Sequence, residues 1–504
     1  GWECQVNKKV VGLLCGVVVV AGLSGALIAL NRTSGTETSS SSTAESSDSA
    51  IATVLSNQKA ADVVSIAVTN ASGSFEVVRT KTAADASDGN AVFNISGFED
   101  LSCADTSMIG TLANNLATVN ATNTVAEHCE DLSKYGLEPA VASAVMTFAD
   151  GSTFSFRIGN AVSGGEDTYF AVEGSDTVYT VQTASLANYQ KAETDFLSKT
   201  LVTKPADDND TPIAETISIE RQDLDYQIVL QYDKSSEEKD SLGGTASTHT
   251  MVEPVAAYLS SERSKDVISG LYGLTATSIK QVHPTDSDLE KAGLGESDCF
   301  GKMTMQCDNG TTYVLRMGPR YTQDDSDAGT IAYHDIYLEG LDVIYSIQEE
   351  KLPWSTVQPT DIASKLIFTT YVWDIGELKV EANGAETMDF VGSGTDKDNY
   401  QVTLNGTACD RERFRLFYSF ILNASAEQVV LNETAQGDPL ATITLKLQNG
   451  GAERVVSFYQ KDDFTCLISI NGESAYTCRL SFVQTMIQNM KRFSTDEEFV
   501  TSWS

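Results

Sequence analysis

Apolar and polar residues alternate with a period of two through most of this chain, and Asp-Gly or Asn-Gly pairs break the alternation at short intervals. Met146 to Phe148 and Phe154 to Ile158 flank Asp150-Gly151, and Tyr169 to Val172 and Val178 to Val181 flank Glu173-Gly174-Ser175-Asp176. Alternation about such a pair predicts a hairpin, so Met146 to Val181 reads as two hairpins in succession. Upstream, Val63 to Val68 and Phe75 to Arg79 form another around Asn70-Ala71-Ser72-Gly73, and Val92 to Ile95 is a further strand. Met108, Leu112, Leu116 and Val119 recur at steps of four, four and three, which predicts an amphipathic helix over 105–120 capped by Asp105 or Thr106. A closing helix is expected from Ser185 to about Ser198.

The pattern returns. Ile217 to Tyr232 matches the first hairpin, with Val252, Val255 and Leu259 marking a helix after it. Asp288-Leu289-Glu290-Lys291-Ala292-Gly293-Leu294 repeats the DLxKxGL spacing of Asp131 to Leu137. Met303 to Met317 repeats the strand-turn-strand around Asp308-Asn309-Gly310, and Glu339 to Ile347 mirrors Glu173 to Val181. A worn third copy starts near Ile367. It has a hairpin over 368–380 around Ile375-Gly376, a helix carrying Phe414, Phe417, Tyr418 and Ile421, and a strand pair around Asn449-Gly450. A second hairpin around Asn471-Gly472 and a closing helix from Phe482 to Phe493 complete it. This copy lacks DLxKxGL and the Gly that follows the second strand (Gly159, Gly318), so that corner is expected to be built differently.

The expected fold is therefore α+β: three tandem repeats, each an antiparallel sheet packed with about two helices, after one N-terminal transmembrane helix. Residues 10–30 carry no charge, long enough at about 1.5 Å per residue to span about 30 Å of hydrocarbon. Lys8 and Lys9 precede this span and only Arg32 follows, which places the N-terminus in the cytoplasm and residues 33–504 outside. The divisions are 1–32 for the cytoplasmic N-terminus and anchor and 33–50 for a Ser/Thr-rich flexible stalk. Repeat units follow at 51–203, 213–357 and, degenerate, 361–504.

At DLSKYGL, FxDGxxFxxxIG and YFAVEGSDTVYTV the chain resembles the bacterial family DUF4340, a domain of unknown function. Two stretches carry the resemblance, about 130–200 and 286–352. It implies a membrane-anchored protein that works beside an ATP-binding-cassette transporter. It assigns no catalytic residues.

Charge and chemistry narrow the picture further. Seventy acidic against 34 basic residues give a formal charge of −36, which excludes nucleic acid as the main partner. The nine cysteines show no paired CxxC spacing of a zinc site. Cys103 and Cys129 bracket a helix, and Cys466 and Cys478 flank the Asn471-Gly472 turn and face each other across it if the loop has three residues, a pairing that a one-residue change of register removes. Cys299 and Cys307, about 26 Å apart along one extended strand, cannot bridge there.

His128, His249, His283 and His334 sit in unrelated local contexts, read as surface or edge positions, with no triad or HExxH spacing. The acid-rich turns at 85–90, 324–327 and 396–399 lack the spaced pattern of a calcium loop and read as solvated turns. Tyr179, Tyr345 and Tyr476 recur at one strand position and read as core edges with hydroxyls reaching water. The nine Asn-x-Ser/Thr sequons, Asn31 and Asn70 among them, carry no weight, since many arise by chance in a chain rich in Ser and Thr and the resemblance implies a bacterial family.

No catalytic, cofactor or metal residue is therefore assigned and no cofactor is expected. The expectation is a non-enzymatic extracytoplasmic scaffold or substrate-engaging accessory subunit of an ABC-type transporter or envelope complex, anchored in the cell membrane through residues 10–30. The alternative is a surface adhesin or glycan-binding protein.

Overall fold

The alternation at Val63, Ile66 and Val68, and at Ala142, Ala144, Met146 and Phe148, buries one side of each strand and leaves the other for solvent or a second layer. This computed structural model describes residues 52–234, 247–326, 328–394, 396–424 and 426–503. The anchor and stalk expected at 10–30 and 33–50 lie outside the described residues. Among the described residues no helix is long and apolar enough to cross a membrane.

The first strands are β1 (Val54–Asn57), β2 (Val63–Asn70), β3 (Gly73–Lys81), β4 (Val92–Ile95), β5 (Thr118–Asn120), β6 (Asn123–Ala126), β7 (Ala142–Phe148), β8 (Thr153–Ala161), β9 (Asp167–Val172) and β10 (Val178–Gln182). Eight of them form a sheet in the order β4-β3-β2-β7-β8-β9-β10-β6, and β1 pairs with β5 separately.

A second set comprises β11 (Ala214–Arg221), β12 (Ile228–Tyr232), β13 (His249–Glu253), β14 (Ala257–Tyr258), β15 (Ser278–Val282), β16 (Gly301–Cys307), β17 (Thr312–Met317), β18 (Tyr321–Asp325), β19 (Gly329–Leu338) and β20 (Val343–Gln348). Its order is β14-β13-β12-β11-β16-β17-β19-β20-β15, with β18 on β19.

The third set is β21 (Ile375–Ala382), β22 (Met388–Ser393), β23 (Gln401–Leu404), β24 (Thr407–Ala408), β25 (Gln428–Val429), β26 (Ala441–Leu447), β27 (Arg454–Gln460), β28 (Thr465–Ile470) and β29 (Glu473–Arg479). Its order is β24-β23-β22-β21-β26-β27-β28-β29-β25. Apart from the additions β14, β18 and β24, one strand order recurs three times. Each copy also has a register shift at the start of its first strand, at Val63/Ser65, Ala214/Thr216 and Ile375/Glu377.

The expected α+β class is corrected by this arrangement: the protein is mostly β, with 40% strand against 19% helix in antiparallel sheets. The helices are too few and short to form a layer of their own in every copy. Helix Thr106–Leu116 does form, its N-terminus held by Asp105, which accepts from the Met108 N–H at 2.9 Å. It stops short of Asn120 because Thr118–Asn120 pairs with β1.

The helix expected at Val252 to Leu259 is instead strands β13 and β14. Pro254 favours an extended residue before it, and the three-and-four spacing of the apolar residues imitated a helix. Among the described residues the α-helix of that connection is the short Lys265–Ser269. The closing helix over 185–198 is broken into short turns, because the chain must come back for Leu197 to bridge Ala104. In the third copy the first turn is at Asn383-Gly384, and Gly376 lies inside β21, where an added Cβ would sit 2.9 Å from the Leu447 carbonyl. Helices Arg411–Leu422 and Leu480–Arg492 do form and bury Phe414, Phe417, Ile421, Phe482 and Met486 against the sheet.

The copies join head to tail by one repeated contact. After the last strand of the first copy, the Ser198 N–H donates to the Cys103 carbonyl, and the Lys199 carbonyl accepts from Ala276 in the second copy at 2.8 Å. After the second copy, Ser364 donates to the Tyr258 carbonyl, and the Lys365 carbonyl accepts from Ala426 in the third at 3.0 Å. Two of the tyrosines expected at solvent-facing core edges, Tyr345 and Tyr476, lie at these seams and are fully buried, whereas Tyr179 of the first copy is part-exposed. The Tyr476 hydroxyl donates to the Ser364 carbonyl at 2.8 Å.

Candidate functional site

The features shared most closely by the first two copies converge on one corner, on the sheet face opposite the main core. In the first copy, Asp131 accepts from the Ser133 N–H at 3.1 Å and starts the turn Leu132–Tyr135. Gly136 ends that turn at φ +67°, where an added Cβ would meet Asn160. The chain then drops Leu137 into a small cluster with Ala171 and Val178, fully buried. In the second copy Thr285 caps helix Asp286–Lys291, Gly293 has φ +66°, and Leu294 is buried with Leu289 and Ile344.

The Gly after the second strand belongs to the same corner. A Cβ on Gly159 would lie 2.2 Å from the Tyr135 carbonyl oxygen, and one on Gly318 would lie 2.8 Å from that of Ala292. Neither has a positive φ, so close approach of two backbones is what demands glycine. In the third copy, register places Tyr459 at this position, and no DLxKxGL turn crosses it.

An arginine and a glutamate flank each corner. Arg157 donates twice to Glu173, Nε to Oε2 at 2.8 Å and Nη2 to Oε1 at 2.7 Å. Arg316 donates to Glu339 Oε1 through Nε at 3.1 Å and through Nη2, and reaches the Leu294 carbonyl at 3.3 Å. The hydrogen bond to Arg157 holds the Glu173 carboxyl below its usual range.

The histidines are where sequence reasoning fell short. His128 and His283 occupy the same place, just after the strand that precedes each DLxKxGL segment, both at positive φ (52° and 49°). Each ring meets the aspartate of the second-hairpin turn: His128 Nδ1 to Asp176 at 2.9 Å, His283 Nδ1 to Asp342 at 2.6 Å. The signal was there, a histidine three or five residues ahead of the segment's first aspartate in both copies. His283 also donates Nε2–H to the Gly97 carbonyl of the first copy at 2.6 Å, with Asp100 at 3.6 Å. Those acceptors, Gly97 first and then Asp342, raise its pKa. His128 is raised by its hydrogen bond with Asp176 but stands in solvent, 87% exposed.

The remaining two histidines are buried rather than at the surface. His249 Nε2 meets the Ala214 carbonyl at 2.6 Å, and burial lowers its pKa. His334 lies between the Gly318 carbonyl and Glu349, stacked on Phe300.

The second ring nitrogen of His249, Nδ1, meets the hydroxyl of its neighbour Thr248 at 3.1 Å. The acid-rich turns spend their carboxylates locally: Asp85 accepts from Thr82, Asp88 from Asn90, Asp324 from Thr330 and Asp396 from Asn399. Among the described residues no group of three His, Cys, Asp or Glu is placed to hold a metal ion. A cavity of about 470 Å³ lies beside Cys409, Asp410 and Arg413, and one of about 510 Å³ beside Asp286, Glu290, Asp298 and Arg316. Both are open clefts.

Residues 98–297 match the family model DUF4340, Domain of unknown function. That stretch is similar to DUF4340. The match begins one residue after Gly97, the acceptor of His283, and runs through both DLxKxGL segments and most of the lining of the second copy's corner cavity, as far as Ser297. The matched region thus contains the first junction between copies, together with His128 and His283. No curated protein and no solved structure matches the chain.

Proposed function

We propose that this protein is a non-enzymatic, extracytoplasmic scaffold subunit of an ABC-type transporter or envelope complex, anchored through residues 10–30. One observation carries the reading. The chemically capable residues that recur, His128, His283, Arg157 and Arg316, are engaged in both copies by carboxylates or backbone carbonyls that shape the corner and the seam between copies. A catalytic site repeated in this way would leave a base or nucleophile facing a cleft. An array of sheets joined by one repeated seam instead offers length and a large, strongly acidic surface for contact with other proteins.

The test is purification of the full chain from its native membrane in mild detergent, with partners identified by mass spectrometry. Recovery of transporter subunits in stoichiometric amount is expected. Recovery of the chain alone across several detergents and after in-cell crosslinking overturns the proposal.

A further inference from the structure

The turn Asn471-Gly472 joins β28 and β29 with both residues at positive φ, 51° and 91°, the conformation of a two-residue hairpin turn. Next to the turn the register is that of a simple hairpin, with Ile470 opposite Glu473 and Ser469 opposite Ser474. Continued outward, that register would set Cys466 opposite Thr477. A bulge between Ile468 and Ser469 inserts one residue on β29, so that Ile468 faces Tyr476 and Cys466 faces Cys478. The turn alone would keep these cysteines apart, and the bulge brings them together.

Directly opposed residues of an antiparallel ladder project to the same face with Cα atoms about 4.5 to 5.5 Å apart, inside the range of about 4.4 to 6.8 Å that a disulfide spans. Both side chains are buried, at 0% and 3% exposure. Each thiol is the other's hydrogen-bond partner, and that contact pulls the Cys466 thiol below its ordinary range. Both are free thiols in this structure, as are Cys103, Cys129, Cys299, Cys307 and Cys409.

We propose that Cys466 and Cys478 are joined by a disulfide in the mature protein, a clamp across the last hairpin of the third copy. The proposal rests on the extracytoplasmic reading, because cytosolic thiols are kept reduced. The oxidant is a disulfide, either of a thiol–disulfide oxidoreductase or of oxidised glutathione. One cysteine thiolate attacks a sulfur of that disulfide, forming a mixed disulfide and expelling one thiolate. The second cysteine thiolate then attacks the cysteine sulfur of the mixed disulfide, closing the Sγ–Sγ bond and expelling the other. The two cysteines lose two protons and two electrons, and the oxidant becomes two thiols. The clamp fixes the strand that carries Tyr476, whose hydroxyl holds the seam at Ser364.

The experiment refolds the full chain in a mixture of reduced and oxidised glutathione, blocks free thiols with an alkylating agent, and maps the proteolytic peptides by mass spectrometry. The expected result is one intramolecular link, between the peptides of Cys466 and Cys478, with the other cysteines alkylated. In Cys466→Ser the expected result is alkylated Cys478 with no new partner. Folded protein, checked by circular dichroism, with both cysteines alkylated under these conditions overturns the proposal. A second arm blocks thiols in living cells before lysis. Linked cysteines there support both readings, whereas a link that forms on refolding but is absent in cells leaves the geometry standing and overturns the extracytoplasmic location.

Discussion

His283 of the second copy donates its Nε2–H to the backbone carbonyl of Gly97 in the first at 2.6 Å, while its Nδ1 faces Asp342 at 2.6 Å. Both ring nitrogens therefore meet acceptors, an arrangement that only the protonated ring satisfies fully. Three acceptors from three segments, the Gly97 carbonyl, Asp342 and Asp100, surround this one titrating group.

A pH dependence follows. The folded-state pKa of His283 is raised, so its contribution is complete below the unfolded value of about 6.5 and is lost as pH rises through the folded value. His283→Gln keeps a donor but removes the charge. Urea denaturation of both proteins across pH should show the wild type favoured at acidic pH by no more than about 1 kcal/mol, since the ring is partly exposed and screened, with the gap closing as pH rises. Buried His249, with its lowered pKa, acts with the opposite sign in both proteins and cancels in the difference. A gap that is constant with pH would contradict the assignment.

Gly159→Ala and Gly174→Ala separate two uses of glycine. At Gly159 the methyl group collides with the Tyr135 carbonyl, at an expected cost of about 2 to 3 kcal/mol. At Gly174, φ is +79° with open space around it, and the left-handed conformation alone costs about 1 kcal/mol. Equal shifts in the urea midpoint would show that the corner yields, contrary to the geometry.

Two tyrosines at equivalent seams should respond differently. Tyr476→Phe removes the donor to the buried Ser364 carbonyl, and about 1 to 2 kcal/mol of stability should be lost. The Tyr345 hydroxyl is buried with only the Cys103 thiol beside it, so Tyr345→Phe should be near neutral. Thermal melts of the two variants decide this.

Arg316 is more enclosed than Arg157, with 13% against 26% of its side chain exposed, and it also reaches the Leu294 carbonyl. Arg316→Ala should therefore destabilise by about 1 to 2 kcal/mol and Arg157→Ala by under about 1 kcal/mol, measured by urea titration. The reverse order would place the main restraint in the first corner.

Hairpins and turns were legible in the sequence wherever period-two alternation met Asp-Gly or Asn-Gly, as at Asp150-Gly151, Asn309-Gly310 and Asn449-Gly450. Helices were less so. Val252, Val255 and Leu259 carry a helical spacing, but β12 supplies backbone partners to β13, and that pairing decides. The equivalence of His128 and His283 was hidden by a two-residue difference in their distance from the DLxKxGL segment. It emerges only once the turn aspartates Asp176 and Asp342 are brought alongside.

The sequence by itself determined which residues face inward along each strand, where the tight turns fall, and that one pattern returns, because each depends on local periodicity and on the φ that a turn residue can adopt. Tertiary structure alone decided the rest. It made the class mostly β, placed Tyr345 and Tyr476 inside seams, set Gly159 against the Tyr135 carbonyl, and through a one-residue bulge put Cys466 opposite Cys478. These relations depend on strand register and on contacts between segments far apart in the chain, and a single residue's shift in pairing exchanges the two faces of a strand.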